Sequence, residues 1–201
     1  MKSVLISIRP KWVEKIASGK KTIEVRKSAP QEVPFKAYIY CTNGEYSPTN
    51  CGKKSISDCL ILNRNVVNGK VIGEFICDKV YKWECKSRLE IIFEIFPSWR
   101  ASYMLFVDDL EKTCLTYNDL WYYGEGKTLY GWHISDFKIY DKPKELSEFR
   151  KPLDSVHCSY YGDYCEEGCV GFGSTDYYCK DYWDWEKGLT RPPQSWQYVE
   201  D

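Results

Sequence analysis

No run of apolar residues in this 201-residue chain approaches the roughly 18 that a membrane-spanning helix needs, which excludes a helical membrane protein. The apolar stretch Val4 to Ile8 stops at Arg9, too soon for a secretory signal, so a cytoplasmic location is expected. Net charge is also scarce. Lys and Arg number 28 against 29 Asp and Glu, giving −1, which argues against a protein that coats nucleic acid by bulk attraction. Internal repeats and low-complexity tracts are missing. What remains is a globular composition, 43% hydrophobic and 28% charged, at a length that suits one full core with an added subdomain.

The charge is unevenly placed. Residues 1–36 carry net +6, residues 37–143 net −1 and residues 144–201 net −6. This polarity fits a localised anion site at one end, although a solvated basic face would look the same. The densest part lies in Ser-Ile-Arg-Pro-Lys-Trp (7–12) and Gly-Lys-Lys-Thr-Ile-Glu-Val-Arg-Lys (19–27). In the second segment Thr22, Glu24 and Arg26 alternate with Ile23 and Val25, the two-residue period of a half-buried strand with Ile23 and Val25 toward the core.

Pro10 suits the first turn of a helix whose apolar face is Trp12, Val13, Ile16 and Ala17, with Gly19 as its stop. Strands are expected over 4–8, 22–27, 37–41 and 70–77, with Gly73 marking a bulge or a close backbone approach. Residues 42–69 read as a long surface loop, and 81–112 fit no single element. Thr116 and Asp119 have the spacing of a helix N-cap, and Gly124 ends that helix. One or two strands then span 129–140, and Pro143 closes the body. About six strands with two or three short helices imply an α+β fold, a small mixed β-barrel flanked by helices.

These motifs resemble a known family. Ser-Ile-Arg-Pro, the 19–27 hairpin, Gly-Lys-Val-Ile-Gly-Glu-Phe (69–75) and Tyr-Gly-Trp-His-Ile-Ser (130–135) look like an ASCH domain of the PUA-like superfamily over residues 1–143. Residues 144–201 would then be an acidic, Cys- and aromatic-rich extension packed on the body. The ending Arg-Pro-Pro-Gln-Ser-Trp (191–196) is similar to that of ASCH proteins carried by bacteriophages and prophages. The resemblance implies a cleft between the first helix and the barrel that binds RNA or a modified nucleotide. One branch hydrolyses acetylcytidine with a lysine, a threonine and a glutamate. Lys21 matches that lysine, but Glu24 stands where the branch has its threonine. Other members are ribonucleases.

The candidate cleft residues divide by chemistry. Arg9, Lys21 and Arg26 can neutralise phosphate, and Ser7 and Thr22 can bond base edges or sugar hydroxyls. The Glu24 carboxylate can accept from an exocyclic amino group. Its ordinary alternative is an ion pair with Arg26 along the strand face. On the 129–135 strand Trp132 can stack on a base and His133 can donate, accept or transfer a proton, although each is also an ordinary packing residue. Tyr40 and Tyr130 add stacking surface. Were the protein an enzyme, Lys21 would relay charge and Glu24 or Glu74 would act as general base. No cofactor is required by these readings.

Ten cysteines without an export signal suggest thiols or metal ligands rather than a disulfide framework. Two in apolar strand-like runs read as small buried hydrophobes. Cys158, Cys165, Cys169 and Cys179, with His157 beside the first, lack tight Cys-x-x-Cys knuckles. A structural zinc there and reduced, partly buried thiols are both open readings. Pro192, Pro193 and Trp196 are expected to dock the ending onto the body, and the acidic aromatic extension is a candidate contact for a protein partner such as a host factor.

Overall fold

The structure, a computed structural model, describes residues 1–43, 68–83, 109–152 and 187–200. Its first elements follow the order expected: β1 (Ser3–Ile8), α1 (Pro10–Ala17), β2 (Ile23–Arg26), β3 (Phe35–Cys41) and β4 (Lys70–Cys77). After them come β5 (Val80–Trp83), α2 (Tyr117–Gly124), β6 (Leu129–His133), β7 (Ser135–Lys144) and β8 (Trp196–Val199). A 3-10 turn, Leu146–Glu148, follows β7.

Strand pairing gives two sheets, a five-stranded one in the order β7-β4-β3-β1-β8 and a three-stranded one in the order β2-β6-β5. The fold is thus α+β with mixed sheets. The single closed barrel expected from the strand count is not formed by these ladders, because the described strands divide between the two sheets. β1 runs parallel to β3, while its other neighbour β8 is antiparallel. In β1 the consecutive residues Val4, Leu5 and Ile6 are all buried, as a strand covered on both faces requires.

One face of the large sheet, with Val4, Ile6, Phe35, Ile39 and Phe75, packs against α1 and Trp132 of the small sheet. There Phe35 meets Trp132 edge-on at 5.0 Å and 83°, a geometry worth about 0.5–1.5 kcal/mol beyond its area. Leu5, Tyr38 and Val71 on the other face are covered by Phe149, Leu146 and Leu189. A third, smaller core joins Val25 of β2 to Leu120 of α2 and Leu129 of β6.

Both helices carry the end signals expected of them. Pro10 occupies the first turn of α1, which buries Pro10, Val13 and Ile16, and Gly19 follows its C-cap at φ +70°. Thr116 and Asp119 form a reciprocal capping box on α2. The left-handed residue that ends α2 is Glu125 at φ +52°, one place beyond the expected Gly124. Gly73 is a close approach: a Cβ there would lie 2.3 Å from the Lys138 carbonyl oxygen, beside a register shift of β4 against β7.

Two expectations need correction. Strand β2 is not half-buried, since all four of its residues are buried. Strand β7 continues through Pro143 to Lys144, which the sheet tolerates because β7 is an edge strand and needs no donor there. Strands β5 (Val80–Trp83) and β8 (Trp196–Val199) add to the expected set. Most of the 42–69 and 81–112 segments lies outside the described residues. No helix among the described residues is long and apolar enough to cross a membrane.

Candidate functional site

The alternation of β2 places Glu24 and Arg26 on one face, as read from the sequence, but that face is turned toward the large sheet. In the antiparallel register Glu24 opposes Trp132, so the two side chains share a side. Arg26 reaches across to β1, its Nη2 donating to the Ser7 carbonyl oxygen at 2.7 Å. The same Nη2 lies 2.9 Å from Glu24 Oε1, and Lys21 Nζ lies 3.3 Å from Glu24 Oε2.

Lys21 is held further by two backbone acceptors, Ile23 O at 2.8 Å and Thr113 O at 2.7 Å. Lys21 Nζ thus has two hydrogen-bond acceptors and one ion-pair partner. Side-chain exposures of 2% for Lys21, 8% for Glu24 and 9% for Arg26 make this a buried charged triad with two cations around one carboxylate. Buried charge is tolerated only when paired and hydrogen-bonded. One atom departs from that rule: Arg26 Nε is buried with no hydrogen-bond partner.

The triad forms the floor of a cleft of about 410 Å³, within the range of roughly 300–1,000 Å³ typical of small-ligand sites. Helix α1 contributes Lys11 and Trp12 as one wall, and Leu115, Asp119 and Tyr123, at and within α2, form another. Arg9 and Lys11, both exposed, stand at the rim. Trp12 carries cations over its ring, with Lys11, Lys15 and Lys21 Nζ at 4.5, 5.0 and 5.3 Å from its centroid. Hydrogen bonds from Thr116 hold the Asp119 carboxyl below the usual carboxylate range, so it stays ionised beside these cations. The cleft also receives Gln194 from the C-terminal segment.

Ser7, Arg9, Lys21, Glu24 and Arg26 thus come together as the sequence suggested. Thr22 does not line the cleft; its N–H donates to Lys112 O and its carbonyl accepts from Ile134 N–H. Trp132 supports the floor from behind rather than facing a ligand: it is wholly buried against Phe35 and Trp196. His133 projects from the opposite side of β6, with Nδ1 2.6 Å from Asp78 Oδ1, and that bond holds the Asp78 carboxyl below its ordinary value. Glu74 also lies elsewhere, on β4, accepting from the Tyr140 hydroxyl at 2.6 Å. Tyr40 is buried in the second core and Tyr130 packs on the first. Residues 157, 158, 165, 169 and 179 lie outside the described residues, so the cysteine cluster is not placed.

Sequence reasoning missed Lys11, Asp119, Tyr123 and Gln194 as cleft residues, and took Trp12 only as part of an apolar helix face. Nothing in their local pattern distinguishes them. They meet only because α1, α2 and the C-terminal segment converge on β2.

Neither a protein-family model nor a curated protein matches the sequence. Solved structures do match the fold. The crystal structure of ASCH from Zymomonas mobilis superposes with a TM-score of 0.50 at 17% identity, covering 100% of this chain and 89% of that one. A tyrosine-to-phenylalanine mutant of that protein matches at TM-score 0.50 and 17% identity, covering 100% of this chain and 92% of its own. A serine-to-alanine mutant matches at TM-score 0.51 and 17% identity, covering 100% and 89%. With its mixed sheets, flanking helices and cleft beside the first helix, the chain has the fold of an ASCH domain.

Proposed function

We propose that the chain binds RNA or a single nucleotide, modified or not, in the cleft between α1 and β2. The observation that carries this reading is the buried triad on the cleft floor: Glu24 is ion-paired with Lys21 and Arg26 and its carboxylate can still accept hydrogen bonds, and Arg26 Nε has a hydrogen to donate and nothing to receive it. Acceptor and donor side by side suit the edge of a base. The flat Trp12 ring offers stacking surface, and the exposed Arg9 and Lys11 at the rim suit phosphate.

Lys21 supports binding rather than turnover. Hydrogen-bonded to two carbonyls and ion-paired with Glu24, it acts as a fixed charge that shapes the floor, not as a free amine available for attack. The likeness to ASCH structures agrees with a nucleic-acid ligand.

The test is titration of a labelled single-stranded RNA hexamer. Arg9→Ala and Lys11→Ala should each weaken affinity and lower the slope of log affinity against log salt by about one contact. Arg26→Ala, with folding confirmed by circular dichroism, should weaken binding more than either. A wild-type protein that fails to bind RNA or mononucleotides at low salt would sink the reading.

A further inference from the structure

The C-terminal segment is built into the cleft through Ser7. The Ser7 N–H donates to Ser195 O at 3.0 Å and its hydroxyl donates to Pro193 O at 2.6 Å. Its carbonyl meanwhile accepts from Arg26 at 2.7 Å. One residue of β1 thus grips the two neighbours of Gln194 while holding the floor arginine with its remaining backbone group. The grip continues beyond, where Ile6 pairs with Trp196 and the Trp196 indole donates to Ser28 Oγ at 3.0 Å. Gln194 itself is exposed, lines the cleft, and makes no hydrogen bond with the described residues.

We propose that Gln194 determines which base the cleft accepts, and that Ser7 is the positioning residue that holds it in place. This rests on the binding reading above. A glutamine amide offers one acceptor oxygen and two N–H donors, so it can match a base edge that a carboxylate alone would reject. Glu24, which lines the same cleft, presents only acceptors. A base bound there therefore meets groups of different polarity. Arg9 and Lys11 meet phosphate, which every nucleotide carries, and so contribute affinity without selectivity. The two-point grip at Pro193 and Ser195 limits the positions Gln194 can take. A loose loop would accommodate any base.

The experiment measures affinity for single-stranded hexamers of A, of C and of U at several salt concentrations. Wild type should rank the three bases. Gln194→Ala should narrow the ratio of best to worst by roughly tenfold, the scale of one lost base-edge pairing, with the salt slope unchanged. Ser7→Ala should narrow the ratio less, since the backbone half of the grip persists, and Ser7→Thr should restore it. Unchanged ratios in Gln194→Ala overturn the proposal, as does an equal loss for all three hexamers with a reduced salt slope. Wild-type binding that is indifferent to the base overturns this inference alone. No wild-type binding to any hexamer or to the corresponding mononucleotides overturns the binding reading and this inference with it.

Discussion

Glu24 sits between two cations that have little access to water, with exposures of 2% for Lys21 and 9% for Arg26. Removing its carboxylate leaves both charges buried with only carbonyl partners, and losses of this kind cost about 3–5 kcal/mol. Glu24→Ala should therefore lower the urea midpoint steeply. The comparison is Glu32→Ala, whose partner Lys2 is 56% exposed and whose pair is worth at most about 1 kcal/mol. Equal small effects would show that the triad is hydrated. Two thiols provide a separate test. Cys41 and Cys77 are buried, as the apolar runs around them suggested, and burial pushes their pKa up to about 11 and about 12. Native protein treated with iodoacetamide at pH 8 should leave both unmodified by mass spectrometry, while unfolded protein is labelled. Because the folded values lie above the unfolded value of about 8.5, the stability these thiols contribute is full below that pH. It is lost as pH rises toward the folded values, so the urea midpoint should fall between about pH 8.5 and 11.

Two elements depend on single residues that the sequence announces. The Thr116 hydroxyl accepts from the Asp119 N–H at 3.2 Å, and the Asp119 carboxylate accepts from the Thr116 N–H at 2.8 Å. Thr116→Ala should cost about 0.5–2 kcal/mol in urea unfolding and loosen the wall that holds Tyr123. At Gly73 the obstacle is backbone, the Lys138 carbonyl oxygen, which cannot rotate away as a side chain would. Gly73→Ala should destabilise by about 1–3 kcal/mol, the scale of overpacking. Such elements were legible because caps, glycines and periodic apolar residues are local signals. The burial of β2 was not. Alternation in Ile23–Arg26 divides the residues between two faces but says nothing of what covers each, and here α2 covers one while the large sheet covers the other. The same limit left the role of Trp132 open between stacking and packing. A tryptophan on a strand can face a ligand or a core, and only Phe35 and Trp196 decide between them.

Across the whole molecule, the basic first 36 residues build β1, α1 and β2, so the charge polarity of the chain becomes a cleft carrying Arg9, Lys11, Lys21 and Arg26. The other end of the sequence closes that site. β8 pairs with β1 and shields it from becoming an apolar edge strand, a position that invites association with other chains. Trp196 links the two roles: it meets Trp132 at 5.6 Å and 68°, meets Tyr198 at 5.4 Å and 87°, and bonds Ser28. If the ending is part of the fold, Trp196→Ala removes a partner of the main core and should cost about 3 kcal/mol. In a chain of this size that lowers Tm by roughly 6–12 °C. Binding of the RNA hexamer should weaken as well at a temperature where the variant remains folded, because Ser195 and Gln194 lose their anchor. An ending that merely rests on a finished body would leave Tm within about 1 °C of wild type, the scale of a neutral surface substitution. Differential scanning calorimetry of the full chain separates the two.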